Sequence, residues 1–139
     1  MAILAQEVMQ FVKTQLDAHL PAYANYYAVA PEEATYPFLT YNVISTTRDK
    51  TFELNLEYIR VWIYAFDNKA SPLSVIRLMD EFKNIFHRQY NNVVLNPTCN
   101  CKLVCAHKSN QVVQYLNEEN YYMGMVEFTF LAQMNEGCP

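Results

Sequence analysis

A cluster of cysteines beside one histidine is the stretch of this sequence in which metal chemistry is most plausible. The segment CNCKLVCAH carries three thiols and one imidazole, at Cys99, Cys101, Cys105 and His107. Four such ligands are the usual set for a tetrahedral zinc ion. The intervening Leu-Val pair, however, favours a β-strand, in which the four side chains share one face and span roughly 26 Å, too far for one ion. We therefore expect no metal and a row of small apolar side chains lining a sheet.

Catalytic constellations are also missing from the pattern. The carboxylate pairs at 32–33 and 118–119 join adjacent residues in polar loops, which is typical of solvated turns rather than of acid/base pairs. The three histidines fall in separate predicted elements. Only two glycines are present, which excludes a glycine-rich phosphate cradle or a dinucleotide-binding turn. We expect no catalytic residue, no cofactor and no enzymatic activity.

The composition indicates that part of the protein surface is not exposed to solvent. Charged residues make up 17% of the 139 residues, whereas soluble domains average about 25%. Aromatic residues reach 14%, with 11 tyrosines. Interfaces are enriched in Tyr, Trp and Arg and depleted in Lys and Glu. The net charge of −4 and the absence of consecutive basic residues argue against a surface that binds the phosphates of nucleic acids.

Targeting signals are not recognisable either. The opening MAILAQEVMQFVKT has no basic start and carries polar residues early, unlike a signal peptide. No apolar run approaches the ~18 residues that a membrane span needs. We expect no membrane partner and a cytoplasmic, reducing environment, in which structural disulfides are disfavoured.

Hydrophobic periodicity divides the chain into helices and strands. Apolar residues at helical spacing predict helices over 3–19 and from Ser71-Pro72 to about Tyr90. The predicted strands cover 37–46, 57–66, 101–116 and 121–132. The remaining segments are a long connection (21–36), a polar loop (46–53) and a loose tail (133–139).

The order of these elements is helix, hairpin, helix, hairpin. It predicts one domain over 1–139 of the α+β class, with a mainly antiparallel four-stranded sheet and two helices packed on one face.

The strand over 57–66, EYIRVWIYAF, alternates without presenting a plainly polar face. Ile59, Val61, Ile63 and Ala65 point one way, which suits a face covered by helices. The opposite face carries Tyr58, Arg60, Trp62, Tyr64 and Phe66. Four aromatic side chains there amount to roughly 600–1,000 Å². A monomer seldom exposes more than a few hundred Å² in one patch, so something is expected to cover this face.

The stretch 36–82 resembles the tail-completion or tail-terminator proteins of long-tailed bacteriophages. The similarity rests on a proline-led first strand ending in a polar loop, a second strand of the type IRVWIYAF, and a short Asp/Asn/Ser linker into a helix. The first helix and the strand MGMVEFTFLA also fit, so most of the chain is covered. The tyrosine-rich connection at 21–36 and the segment CNCKLVC depart from the family pattern.

The resemblance implies a structural virion protein that forms a homohexameric ring at the head-proximal end of the tail tube. Such a ring stops tube growth, contacts the tail tube protein and joins the tail to the head-completion proteins of the neck. DNA passes through its lumen without sequence preference. The protein would be assembled in the host cytoplasm and end in the virion tail or neck.

Two groups of residues become candidate contact sites under this resemblance. Neighbouring subunits or the tube would cover the face that carries Tyr58, Arg60, Trp62 and Tyr64. Alternatively, residues 21–36 fold over the same face within one chain. The polar loop would contact the tube or line the lumen through Thr47, Arg48, Asp49, Lys50 and Glu53. The main rival function is a small cytoplasmic binding module whose aromatic face is a groove for a ligand or partner, and an enzyme with an unrecognised site is the third alternative.

Overall fold

A computed structural model describes residues 2–49, 55–69, 71–90, 93–96, 101–116 and 120–134. The helices are α1 (Ala2–His19) and α2 (Leu73–Phe86). The strands are β1 (Ala24–Tyr27), β2 (Phe38–Asp49), β3 (Asn55–Asp67), β4 (Val93–Asn96), β5 (Cys101–Leu116) and β6 (Tyr121–Met134). Neither helix, over its described residues, is long and apolar enough to cross a membrane.

The sheet is six-stranded and mixed, in the order β1-β2-β3-β6-β5-β4. β1 pairs with β2 in parallel, and all other neighbours are antiparallel. The predicted four-stranded, mainly antiparallel sheet is therefore wrong. The four predicted strands are present as β2, β3, β5 and β6, but the chain adds an edge strand at either side.

The two missed strands share one physical cause. β1 and β4 have four residues each, which is too short for an alternation of polar and apolar side chains to stand out. β1 lies inside the predicted connection, and residues 28–37 carry the chain back so that β2 can run parallel to it. β4 lies between the second predicted helix and the predicted strand over 101–116, where the sequence predicts no element.

The buried stripe predicted for the second helix is confirmed. Its buried side chains are Val75, Leu78, Met79, Phe82, Ile85 and Phe86. Ser71 Oγ accepts the Leu73 N–H at 3.2 Å at the start. The helix ends before the predicted Tyr90, because His87 is extended and Arg88 then takes a positive φ of 57°.

The helices and one face of the sheet form a single hydrophobic cluster. We call this the inner face, and the opposite one the outer face. Val8, Val12 and Leu16 of α1 are fully buried against it. So are the β3 residues Ile59, Val61, Ile63 and Ala65. Each large apolar side chain buried in this way contributes about 1.5–3 kcal/mol.

A glycine on β6 allows α2 to approach the sheet closely. Gly124 pairs with Ala65 on β3. A Cβ at position 124 would collide with the side chains of Val75 and Met79 on α2. The small pair Gly124–Ala65 therefore sets how near the helix lies, and this proximity brings the α2 stripe into the core.

The hairpin of β2 and β3 is longer than predicted. β2 continues to Asp49 and β3 begins at Asn55, so the ladder includes positions expected in a polar loop. A register shift at Ile44 marks a β-bulge on β2.

Candidate assembly surface

The outer face of β3 carries the aromatic row, which we define as Tyr58, Trp62, Tyr64 and Phe66. Its side chains lie opposite the helices, as the alternation predicts. Tyr58 is 38% exposed, and Trp62, Tyr64 and Phe66 are half-buried. The row is thus neither core nor ordinary solvated surface.

Ring contacts hold the row in a fixed arrangement. Phe66 stacks on Tyr64 with ring centroids 5.8 Å apart and planes 17° from parallel. Trp62 meets Tyr64 edge to face at 6.2 Å. Phe66 also stacks on Phe38 of β2, at 5.1 Å. Contacts of this geometry add about 0.5–1.5 kcal/mol per pair beyond the area they bury.

Residues from the 21–36 connection cover one end of the row. Tyr36 lies 5.1 Å from Phe38 and 6.0 Å from Tyr121, which in turn contacts Phe66. Among the described residues, none of these ring contacts extends from the connection to Tyr58 or Trp62. The chain thus covers the Phe66 end of the row and leaves the other end open.

A buried carboxylate organises the centre of the outer face. Glu127 of β6, 6% exposed, pairs across the ladder with Trp62. Its Oε2 accepts hydrogen bonds from Trp62 Nε1 and Arg60 Nη2, each 2.8 Å long. Its Oε1 accepts one from Ser109 Oγ of β5, also 2.8 Å long. Thr129 Oγ1 donates to Ser109 Oγ at 3.2 Å and extends the network.

These donors keep Glu127 ionised. Burial by itself raises the pKa of the carboxyl, but the hydrogen bonds from Trp62, Ser109 and Arg60 outweigh it, and the pKa lies below its ordinary value. Arg60, whose side chain is 48% exposed, therefore pairs with a carboxylate of its own chain.

Sequence reasoning did not single out Glu127 or Ser109. The available signal was the lone carboxylate in the apolar strand MGMVEFTFLA, at a position that alternation assigns to the outer face. Its pairing with Trp62 depends on the register between strands far apart in sequence, which composition does not encode.

The residues of the predicted polar loop are separated by the structure. Thr47, Arg48 and Asp49 belong to β2, where Thr47 pairs with Tyr58 at the open end of the aromatic row. Lys50 and Glu53 lie outside the described residues. The structure thus links part of the predicted loop site to the predicted face through one ladder.

The cysteine segment does not alternate as predicted. A β-bulge at Val104 shifts the register between Leu103 and Cys105. Leu103 is fully buried in the inner core, whereas Cys105 pairs with the half-buried Leu131 and is a free thiol. Within the described part of the chain no three His, Cys, Asp or Glu residues are grouped to hold a metal ion; Cys99 lies outside that part.

Comparison with known proteins gives a similarity of fold. No protein-family model matches the chain, and no curated protein matches it. Among solved structures, the chain is similar to one in the virion of a native gene transfer agent particle, with a TM-score of 0.63 and 16% sequence identity. The similarity covers 88% of this chain and 90% of that chain. At this identity, what the two chains share is the fold.

Proposed function

We propose that this chain is a structural protein of a phage-like virion. The observation that carries the proposal is the fold similarity to a chain of a gene transfer agent virion, which spans 88% of this chain and 90% of the other. A match over nearly the whole of both chains indicates the same architecture rather than one shared motif. The similarity between 36–82 and tail-terminator proteins supports the same class of particle.

Within that particle, the proposed role is a homohexameric ring at the head-proximal end of the tail tube. The ring terminates tube growth and joins the tail to the head-completion proteins. Support comes from the aromatic row, whose open end offers rigid side chains of the kind that dominate contact surfaces. A neighbouring subunit or the tail tube protein is the proposed cover for Tyr58, Arg60, Trp62 and Tyr64.

Passage of DNA through the lumen fits the charge of the chain. A net charge of −4 without a basic run gives little electrostatic attraction for phosphates. A weakly held duplex can slide through a ring. The residues Thr47, Arg48 and Asp49 of β2, with Lys50 and Glu53, are the proposed contacts to the tube or lumen.

The proposed role is architectural, with no enzymatic activity and no cofactor. Glu127, the buried carboxylate of the outer face, already accepts hydrogen bonds from Trp62, Arg60 and Ser109. Such a carboxylate organises a surface. We propose that the protein is assembled in the host cytoplasm and ends in the virion tail or neck.

Particles assembled without this protein test the proposal. We expect electron microscopy to show tails of uncontrolled length, or heads and tails that fail to join, and addition of the purified chain to restore joining. Normal tails joined to heads would contradict the proposal. That result, together with a monomer or dimer in native mass measurements, would favour the binding-module alternative.

A further inference from the structure

One edge of the sheet is only partly protected. β4 pairs with β5 from Cys101 to Leu103. Next to it, the Arg88 N–H donates to Ala106 O at 2.8 Å and the Lys108 N–H donates to His87 Nδ1 at 2.9 Å. From Ser109 to Leu116, no described strand pairs with the edge of β5 that points away from β6. We call residues 110–116 the free edge.

The backbone groups of the free edge can be assigned by alternation. Lys108 directs its N–H away from β6, towards His87. The register shift between Lys108 and Asn110 is a β-bulge at Ser109, after which Asn110 faces Glu127 on β6. The outward N–H and C=O groups then belong to Gln111, Val113 and Tyr115, and the Gln111 N–H already donates to Asn110 Oδ1 at 2.8 Å.

The free edge lacks the usual protection against pairing. Natural edge strands are blunted by charges, prolines or bulges. The sequence NQVVQYL at 110–116 contains no charge and no proline, and its register with β6 is regular. Val112, Val113 and Tyr115 are 41–43% exposed. β-branched and aromatic residues are the types that favour strand pairing.

We propose that the free edge pairs with β1 of a second copy of this chain, so that the sheet continues from one subunit to the next. The strand directions suit this pairing. β5 runs opposite to β6, β6 to β3, and β3 to β2, whereas β1 runs with β2. β1 and β5 are therefore antiparallel, and a copy rotated about an axis along the strands presents β1 antiparallel to the free edge.

Charge complementarity selects a second copy as the occupant. Arg88 and Lys108 lie where the free edge begins, and Arg88 and His107 help to line an open depression of about 550 Å³ there. In the neighbouring copy, the exposed Glu32 and Glu33 follow the end of β1. Antiparallel pairing brings the start of the free edge to the end of β1, so Arg88 and Lys108 lie on the side of the contact where the chain leaves β1 towards Glu32 and Glu33.

The pairing uses two different surfaces of the chain, the β5 edge and the β1 edge. Such a heterologous contact closes into a ring when the rotation between copies divides a full turn. Closure as a ring rests on the proposed function, whereas the pairing itself depends only on the two edges.

Substitution of Val113 by proline tests the outward N–H. Proline is tolerated on an edge strand where its missing N–H faces solvent, so Val113→Pro is expected to keep the melting temperature close to that of Val113→Ala, the matched control. In sedimentation measurements over a concentration series, Val113→Pro should weaken self-association by about tenfold or more relative to Val113→Ala. Equal association of the two variants would overturn the proposal.

Charge reversal tests the occupant independently. Replacing both Glu32 and Glu33 by lysine should weaken self-association, and combining that change with Arg88→Glu and Lys108→Glu should restore it. A combined variant that remains as weak as the Glu32→Lys/Glu33→Lys protein would contradict this choice of occupant. Wild-type self-association that is unaffected both by charge reversal and by Val113→Pro would contradict it as well. The same holds if the free edge is found to pair only with a different protein.

The two proposals fail in distinguishable ways. Rings that form and cap tails despite Val113→Pro would refute the edge pairing and leave the proposed function standing. Self-association through the free edge in a protein whose loss leaves tails normal would refute the proposed function and leave the pairing standing. A wild-type chain that stays monomeric both over the concentration series and in particles would refute the pairing.

Discussion

The inner and outer faces of β3 hold their side chains by different physical means. On the inner face, Ile59, Val61 and Ile63 are fully buried by packing against the two helices. On the outer face, Trp62 and Arg60 are positioned by directional hydrogen bonds to Glu127 and stay partly accessible to solvent. One strand thus combines a core that stabilises the fold with a surface that is ordered before any partner arrives.

The difference explains how a half-exposed aromatic row is compatible with binding. Ordering a side chain at an interface costs about 0.5–1.5 kcal/mol. The contacts Trp62–Tyr64 and Tyr64–Phe66, with the hydrogen bond to Glu127, already restrict these rings in the free chain. A partner that covers the row then gains contact area at a lower entropic cost.

The largest expected effect is on the inner face. Phe86→Ala removes a fully buried ring that contacts Phe128 and Phe130. We expect the free energy of unfolding to fall by about 3–5 kcal/mol, measured by chemical denaturation. Leu73→Ala, on the same helix but 49% exposed, is the control. A loss of similar size for both would show that α2 does not bury the face described here.

Adding one methyl group at Gly124 should also act through the inner face. The alanine Cβ would collide with Val75 and Met79, so α2 has to move away from the sheet. We expect a loss of about 1–3 kcal/mol in the free energy of unfolding. In a Val75→Ala background the same Gly124→Ala change should cost less, and an equal cost in both backgrounds would contradict the close approach.

The centre of the outer face should respond to loss of the Glu127 charge. Glu127→Gln keeps the size of the side chain but weakens its hydrogen bonds to Arg60 and Trp62, and we expect a loss of about 1–3 kcal/mol in denaturation experiments at neutral pH. Glu81→Gln, at an exposed position of α2, is a charge-matched control. Equal stability of the Glu127→Gln protein and the wild type would show that the network does not hold the face.

Acid should remove the same contribution. Because the folded state lowers the pKa of Glu127, its ionised form stabilises the fold at pH values above the ordinary 4.5, and this stabilisation is lost as the pH falls through the lowered value. The difference in melting temperature between wild type and Glu127→Gln should therefore shrink below about pH 4.5. A difference that does not depend on pH would contradict an ionised Glu127.

The smallest effect on stability is expected at the open end of the row. Tyr58 is 38% exposed, so Tyr58→Ala should change the free energy of unfolding by about 0.5 kcal/mol or less. We nevertheless expect it to weaken assembly, because tyrosine supplies rigid contact area at an interface. Melting temperature and native mass measured on the same sample separate the two effects. A stability loss as large as that of Phe86→Ala would place Tyr58 in the core.

The sequence predicts the elements with strong periodicity and misses those without it. The buried stripe of α2 and the alternation of β3 were predicted, because apolar side chains repeat there over many residues. β1 and β4 are too short to carry a period. The bulges at Val104 and Ser109 change which side chains share a face, and they arise from pairing with distant strands.

In the candidate site, too, the sequence predicts what local alternation encodes and misses what depends on distant strands. Tyr58, Arg60, Trp62 and Tyr64 were found from local alternation alone. Glu127, the intrachain partner of Arg60 and Trp62, and the free edge of β5 depend on strand order and register, which nonlocal contacts determine.

Two substitutions at neighbouring β3 positions test most directly whether the outer face makes the assembly contacts while the inner face stabilises the fold. Ile63→Val trims the inner face and should cost about 0.5–1.5 kcal/mol of stability without changing assembly. Trp62→Ala trims the outer face. The measurement is the distribution of tail lengths in particles assembled with each folded variant. We predict normal lengths for Ile63→Val and uncontrolled lengths or unjoined tails for Trp62→Ala; normal, joined tails with folded Trp62→Ala protein would contradict the account.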